Sequence, residues 1–112
     1  MHSKELLKGT LQTIVLKLLS DHWKMYGYEI SQKVKSLSED TLMITEGALY
    51  PTLHKLEAEG YLQTERVMIG NRARKYYKLT EYGHSFVTKK LMEFQEFILL
   101  MNKVLQINPS TA

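Results

Sequence analysis

The stretch EGALYPTLHKLEAEGYLQTERVMIGNRARKYYKLTEYG, residues 46–83, decides the fold. Leu49, Leu53 and Leu56 stand four and three apart, so a helix here has one apolar face. Thr45, immediately upstream, has the side chain of a good N-cap. Gly60 follows Glu59 and marks a left-handed helix stop. Residues 61–68 and 74–79 alternate and are rich in β-branched and aromatic types, as strands are. Between them lie residues 69–73, where Gly70 and Asn71 both tolerate positive φ and signal a turn. Thr80 and Glu81 then open a further helix, one as its cap and the other at its positive end.

Charge sets this stretch apart. The chain has three arginines, Arg66, Arg72 and Arg74, and all lie in it. Lys75 and Lys78 join them, and no acid occurs from Arg66 through Lys78. A helix beside a hairpin with an unbalanced basic tip is the outline of a winged helix-turn-helix. Such a domain puts the helix in the DNA major groove and the wing on the flanking backbone or minor groove. Arginine suits the wing, because its planar fork pairs with phosphate and fits a narrow minor groove.

Upstream, Leu7, Leu11, Ile14 and Leu18 repeat at helical spacing, with Val15 and Leu19 widening the stripe. The first helix is expected from about Ser3 to Leu19, with a weak point at Gly9-Thr10. Residues 20–25 form a loop whose Trp23, the single tryptophan, is expected to cap the core. A second helix over residues 26–37 turns Ile30, Val34 and Leu37 inward, and Gly27 allows a close helix approach. A polar break at residues 38–40 and an extended segment over residues 41–44 lead to Thr45. Pro51 lies beyond the first turn of the third helix and removes one backbone donor. Either that helix kinks at Tyr50-Pro51, or its regular part begins there. In both cases Thr45, Tyr50, Thr52 and Lys55 share a polar side opposite the leucines. Tyr50 is open between core and DNA contact. Tyr76 and Tyr77 point to opposite faces of their strand; the parity of Leu79 puts Tyr77 inward, but a twisted wing can break it.

The last helix is expected to run to about Gln106, before Asn108-Pro109. Val87, Leu91, Phe94, Ile98, Met101 and Leu105 repeat in a heptad pattern along it. Phe97, Leu100 and Val104 add a second stripe. One small domain cannot cover so much apolar surface, so the helix is expected to pair with a second copy, with Leu7 and Leu11 of the first helix contributing. Phe94 and Phe97 are candidates for stacking on a flat ligand at the dimer centre.

Composition narrows the classes. With 112 residues the chain makes one winged domain over residues 1–83, a dimerisation helix over residues 84–107 and a disordered tail over residues 108–112. There is no cysteine, hence neither disulfide nor thiolate metal site. His54 and Glu57 stand one turn apart, too little for a metal-binding assignment, and no metal or cofactor is expected. There is no glycine-rich phosphate loop, HExxH or nucleophile elbow, so an enzyme is not expected. No apolar run has the length of a membrane span, and a cytoplasmic location is expected. The net charge of +3 is a weak pointer to nucleic acid; its concentration in the hairpin is the stronger one.

Several pieces together resemble PadR-type transcriptional regulators, in particular the short subfamily with one C-terminal helix. They are Gly9-Thr10-Leu11, Tyr26-Gly27-Tyr28-Glu29-Ile30, Gly47-Ala48-Leu49-Tyr50-Pro51-Thr52-Leu53, Leu56-Glu57-Ala58-Glu59-Gly60, and the run from Arg74 to Gly83. They cover roughly residues 6–90 in the family's order. The resemblance implies a mainly α fold with a small β-hairpin, a winged helix-turn-helix followed by a long dimerisation helix. It also implies a cytoplasmic homodimeric repressor that binds an inverted-repeat operator on double-stranded DNA and leaves it when a small aromatic compound binds. On this reading Thr45, Gly47, Tyr50, Pro51, Thr52 and Lys55 belong to the reading helix, and Asn71, Arg72, Arg74, Lys75, Tyr76 and Tyr77 to the wing. Members that bind flat drugs can use an indole on the last helix; here Phe94 stands at that position. The competing expectations are a winged-helix protein-interaction module without DNA binding, and a small-molecule-binding dimer whose DNA role is minor.

Overall fold

The computed structural model describes residues 4–107. The element order is α1 (Lys4–Asp21), β1 (Met25–Tyr26), α2 (Gly27–Leu37), α3 (Glu46–Ala58), β2 (Leu62–Ile69), β3 (Arg72–Leu79) and α4 (Glu81–Val104). The three antiparallel strands are ordered β1-β3-β2. This is the expected winged-helix arrangement, mainly α with a β-hairpin, plus a short third strand. The expected tail at residues 108–112 lies outside the described residues.

The core forms where the helical stripes meet the inner face of the sheet. Leu11, Val15, Leu16 and Leu19 of α1, Ile30 and Val34 of α2, and Leu49, Leu53 and Leu56 of α3 are buried together. Leu62, Tyr77 and Leu79 close the core from the sheet and Val87 from α4. Two residues expected at a dimer seam, Leu11 and Val87, are therefore consumed by the chain's own core. Their stripe is continuous in sequence, but α1 packs against the start of α4 within one chain and covers that end of it.

Gly9-Thr10 does not interrupt α1, and the Thr10 hydroxyl donates to the Leu7 carbonyl at 3.0 Å. Pro51 does not break α3 either. The helix starts at Glu46, with Thr45 Oγ1 accepting from the Ala48 N–H at 3.2 Å, and runs through the proline. Residues 41–44 join no strand, and Leu37, expected inward, is exposed beside the polar break. At the hairpin, Ile69 pairs with Arg72, so the loop shrinks to Gly70-Asn71. Of those two, Gly70 alone takes positive φ, which suits a two-residue hairpin turn with glycine first.

The junction between α3, β2 and α4 is tied tightly. The Thr80 hydroxyl donates to the Gly60 carbonyl at 2.6 Å and accepts from the Gly83 N–H at 2.9 Å. Gly83 packs its Cα directly on the Tyr61 carbonyl, where a side chain has no room. Helix α4 therefore starts inside the winged domain. Its far half projects from the body. The radius of gyration is 15.6 Å, against about 13 Å for a compact chain of this length.

Candidate nucleic-acid interface

Helix α3 buries its leucines and turns a contrasting face outward. Gly47, Tyr50, Pro51, His54 and Lys55 are exposed, and Thr52 is half-buried at the edge. The Thr52 hydroxyl donates to the Ala48 carbonyl at 3.1 Å, which ties it to the helix backbone. Pro51 offers no N–H to the Gly47 carbonyl four residues back, so the helix lacks that one backbone hydrogen bond on its outward side. Tyr50 reaches across to the first turn of α2. A methyl built on Gly27 would stand 2.5 Å from Tyr50 Oη, so the absent side chain of Gly27 is what seats the ring. This resolves the open reading of Tyr50: it lies on the surface, held by α2, rather than among the leucines.

The strand register sorts the wing residues. Arg72, Arg74, Tyr76 and Lys78 fall on the outer face of β3, with Ile69, Val67, Glu65 and Gln63 of β2 opposite them. Lys75 and Arg66 pair on the other face. Tyr77 shares that inner face and is 1 % exposed, packed in the core. The resemblance implies a DNA contact for Tyr77, but burial among the core leucines leaves its ring no path to a ligand. Tyr76 takes the outward position and meets the Tyr26 ring edge-on at 5.5 Å.

The outer face is a network of rings and cations. The Arg74 guanidinium lies 4.1 Å from the centre of the Tyr26 ring. The Tyr76 hydroxyl, more than Tyr26 or Glu29, pushes the Arg74 pKa up, against the opposing effect of burial. Lys24 binds Glu65 at 2.7 Å and holds that carboxyl below its ordinary value. Trp23 is 73 % exposed rather than capping the core, with Lys24 4.7 Å and Lys78 5.8 Å from its ring. Asn71 and Arg72 stand exposed at the tip.

Away from the hairpin, α4 leaves Phe97, Ile98, Leu99, Leu100, Val104 and Leu105 exposed. Leu91 is partly covered by the core, and Phe94 and Met101 are half-buried. Phe94 and Phe97 border a groove of about 410 Å³ between α1 and α4, with Thr10, Thr13, Lys90 and Glu93 on its walls. Among the described residues no cluster of His, Asp or Glu is placed to hold a metal ion, and no helix is long and apolar enough to cross a membrane.

Residues 15–89 match the "Transcriptional regulator PadR-like family". The chain belongs to the PadR-like family. A transcriptional regulator of Mycobacterium tuberculosis is 30 % identical over 93 residues, 83 % of each chain. A transcriptional regulator from Clostridium thermocellum superimposes with a TM-score of 0.81 at 29 % identity, over 92 % of this chain and 97 % of that one. A PadR family regulator from Eggerthella lenta gives a TM-score of 0.76 at 32 % identity, over 93 % and 88 %. The family consists of transcriptional regulators, not enzymes, and its membership implies DNA-binding regulation.

Within this PadR-like frame, the structure brings together residues that the sequence did not associate. Strand β1 is two residues long, and two residues have no period to detect. Its pairing of Tyr26 with Tyr76 is what places an aromatic ring under Arg74. Lys24 and Trp23 join the wing by the same pairing. For Gly27, close approach was legible, but its partner, the Tyr50 side chain, was not.

Proposed function

We propose that this PadR-like protein is a homodimeric repressor that binds an inverted-repeat operator. The observation that carries the reading is the exposed face of α3 lying, on one body, beside a hairpin whose run from Arg66 to Lys78 is basic and holds no acid. Helix α3 reads a half-site in the major groove through Tyr50, Pro51 and Thr52, with Lys55 on a phosphate at its flank. Arg72, Asn71 and Lys75 hold the flanking backbone, and Arg74 adds charge from its seat on Tyr26. The exposed apolar length of α4, from Phe97 to Leu105, pairs with its counterpart in a second copy. Two-fold symmetry then sets a near-palindromic site, and occupancy of it blocks transcription from the cytoplasm.

A flat aromatic effector enters beside Phe94 and Phe97, in the groove between α1 and α4. By favouring one packing of α4, it changes the separation of the two reading helices and weakens the fit to fixed half-sites. Selection of bound sequences from a random duplex pool tests the reading. One enriched inverted repeat supports it; no enrichment, or binding without steep salt dependence, favours a winged-helix interaction module that meets an acidic protein instead.

A further inference from the structure

Two glycines occupy helical positions without a reason inside the chain. Gly9 lies within α1, and a Cβ built on it meets nothing within 4 Å. Gly47 lies within the first turn of α3, and a Cβ there meets nothing nearer than Thr45 Oγ1 at 4.0 Å. Neither has positive φ. Glycine weakens a helix relative to alanine, so each position gives up stability while the chain leaves the vacated space empty. Both line one groove, between α1 and the exposed flank of α3, and Gly9 also borders the groove toward α4 on its other side. Lys8 and Gln12 stand on its α1 wall, Pro51 and Lys55 on its α3 wall. One carboxylate, Glu5, also borders it.

From this we infer a second backbone-binding site: the α1–α3 groove takes one sugar-phosphate strand of the duplex, gripped by Lys8 and Lys55, with Gly9 and Gly47 clearing room for it. The inference rests on the proposed placing of α3 in the major groove. A helix about 10–12 Å across fills a groove about 12 Å wide, so the two flanks of α3 lie against the two strands. Tyr50 and the first turn of α2 occupy one flank, and the α1–α3 groove is the other. Lys8 is exposed and its terminal ammonium suits a phosphate as a point charge. Gly9 serves here by what it lacks, a role that a helix stripe in sequence does not reveal.

The test compares Lys8→Ala, Gly9→Ala and Arg72→Ala in the full chain, on operator and on random duplex across a salt series. Lys8→Ala should lower the salt slope by about 0.9 per lost contact, about 1.8 for a dimer. Gly9→Ala should raise the melting temperature by roughly 2–5 °C, since it adds helix propensity in open space, and still bind both duplexes more weakly. An unchanged slope in Lys8→Ala beside a lowered slope in Arg72→Ala overturns the site and leaves the DNA reading intact. So does a Gly9→Ala protein that sediments as monomer, because the groove then receives a second copy of the chain. Absence of duplex binding by the wild type itself takes down both.

Discussion

Gly27→Ala offers a way to move the candidate reading surface without removing any of its atoms. The new methyl would stand 2.5 Å from Tyr50 Oη, 2.9 Å from Cζ and 3.2 Å from Cε1. The first two are closer than real Cβ contacts come, so the tyrosine has to swing away. It can do so, because Tyr50 is 36 % exposed and the obstacle meets the far end of its side chain. An off-rotamer side chain costs about 0.5–1.5 kcal/mol. Alanine at the first position of α2 returns up to about 0.5–1 kcal/mol of helix propensity. The two nearly cancel, so unfolding in urea should shift by less than about 1 kcal/mol. Operator affinity should behave differently. If Tyr50 touches a base or phosphate, its displacement should cost about 1–3 kcal/mol, a loss of roughly 5- to 150-fold. Fluorescence anisotropy with labelled operator reads the affinity, and Tyr50→Phe, which removes the hydroxyl alone, calibrates it. Retained affinity with a displaced ring would remove Tyr50 from the interface. A large loss of stability would show that Gly27 seats a core group instead.

Three further outcomes are expected. Ile98→Glu should leave the single-chain fold intact, because Ile98 is exposed there, but should give monomer in sedimentation, since an unpaired carboxylate in an apolar seam costs several kcal/mol; an unchanged dimer would move the seam off α4. Gly83→Ala should destabilise the fold by about 1–3 kcal/mol or more, roughly 3–6 °C per kcal/mol in a thermal melt, because the methyl meets the Tyr61 backbone and not a movable side chain. The Lys24 partner lowers the Glu65 pKa, so their pair stabilises the fold above the unfolded carboxylate value and is lost as pH falls through the lower folded value. Lys24→Met should therefore flatten the acid limb of a stability profile, and added salt should do the same to the wild type; identical limbs would show that the pair is inert.

The sequence by itself determined the four helices, the two hairpin strands and their order. Helical stripes such as Leu49-Leu53-Leu56, the Thr45 and Thr80 caps and the Gly70-Asn71 turn act over a few residues, so their physics is complete in the local chain. The acid-free run from Arg66 to Lys78 marked the basic wing on the same grounds. Which apolar residues stay free was decided only in three dimensions. Leu11 and Val87 sit in the same stripes as Leu7 and Ile98, yet α1 packed on the start of α4 buries the first pair and leaves Ile98 outside. Strand parity favoured Tyr77 as the inner ring without fixing it, and pairing with β1 made the choice by setting Met25 beside Tyr77 and Tyr26 beside Tyr76. Trp23 was misjudged because large aromatic rings are usually covered, whereas here the strand that follows it turns the indole over two lysines. Pattern fixes what a residue can offer, but burial and partnership are relations between distant segments, and those exist only once the chain has packed.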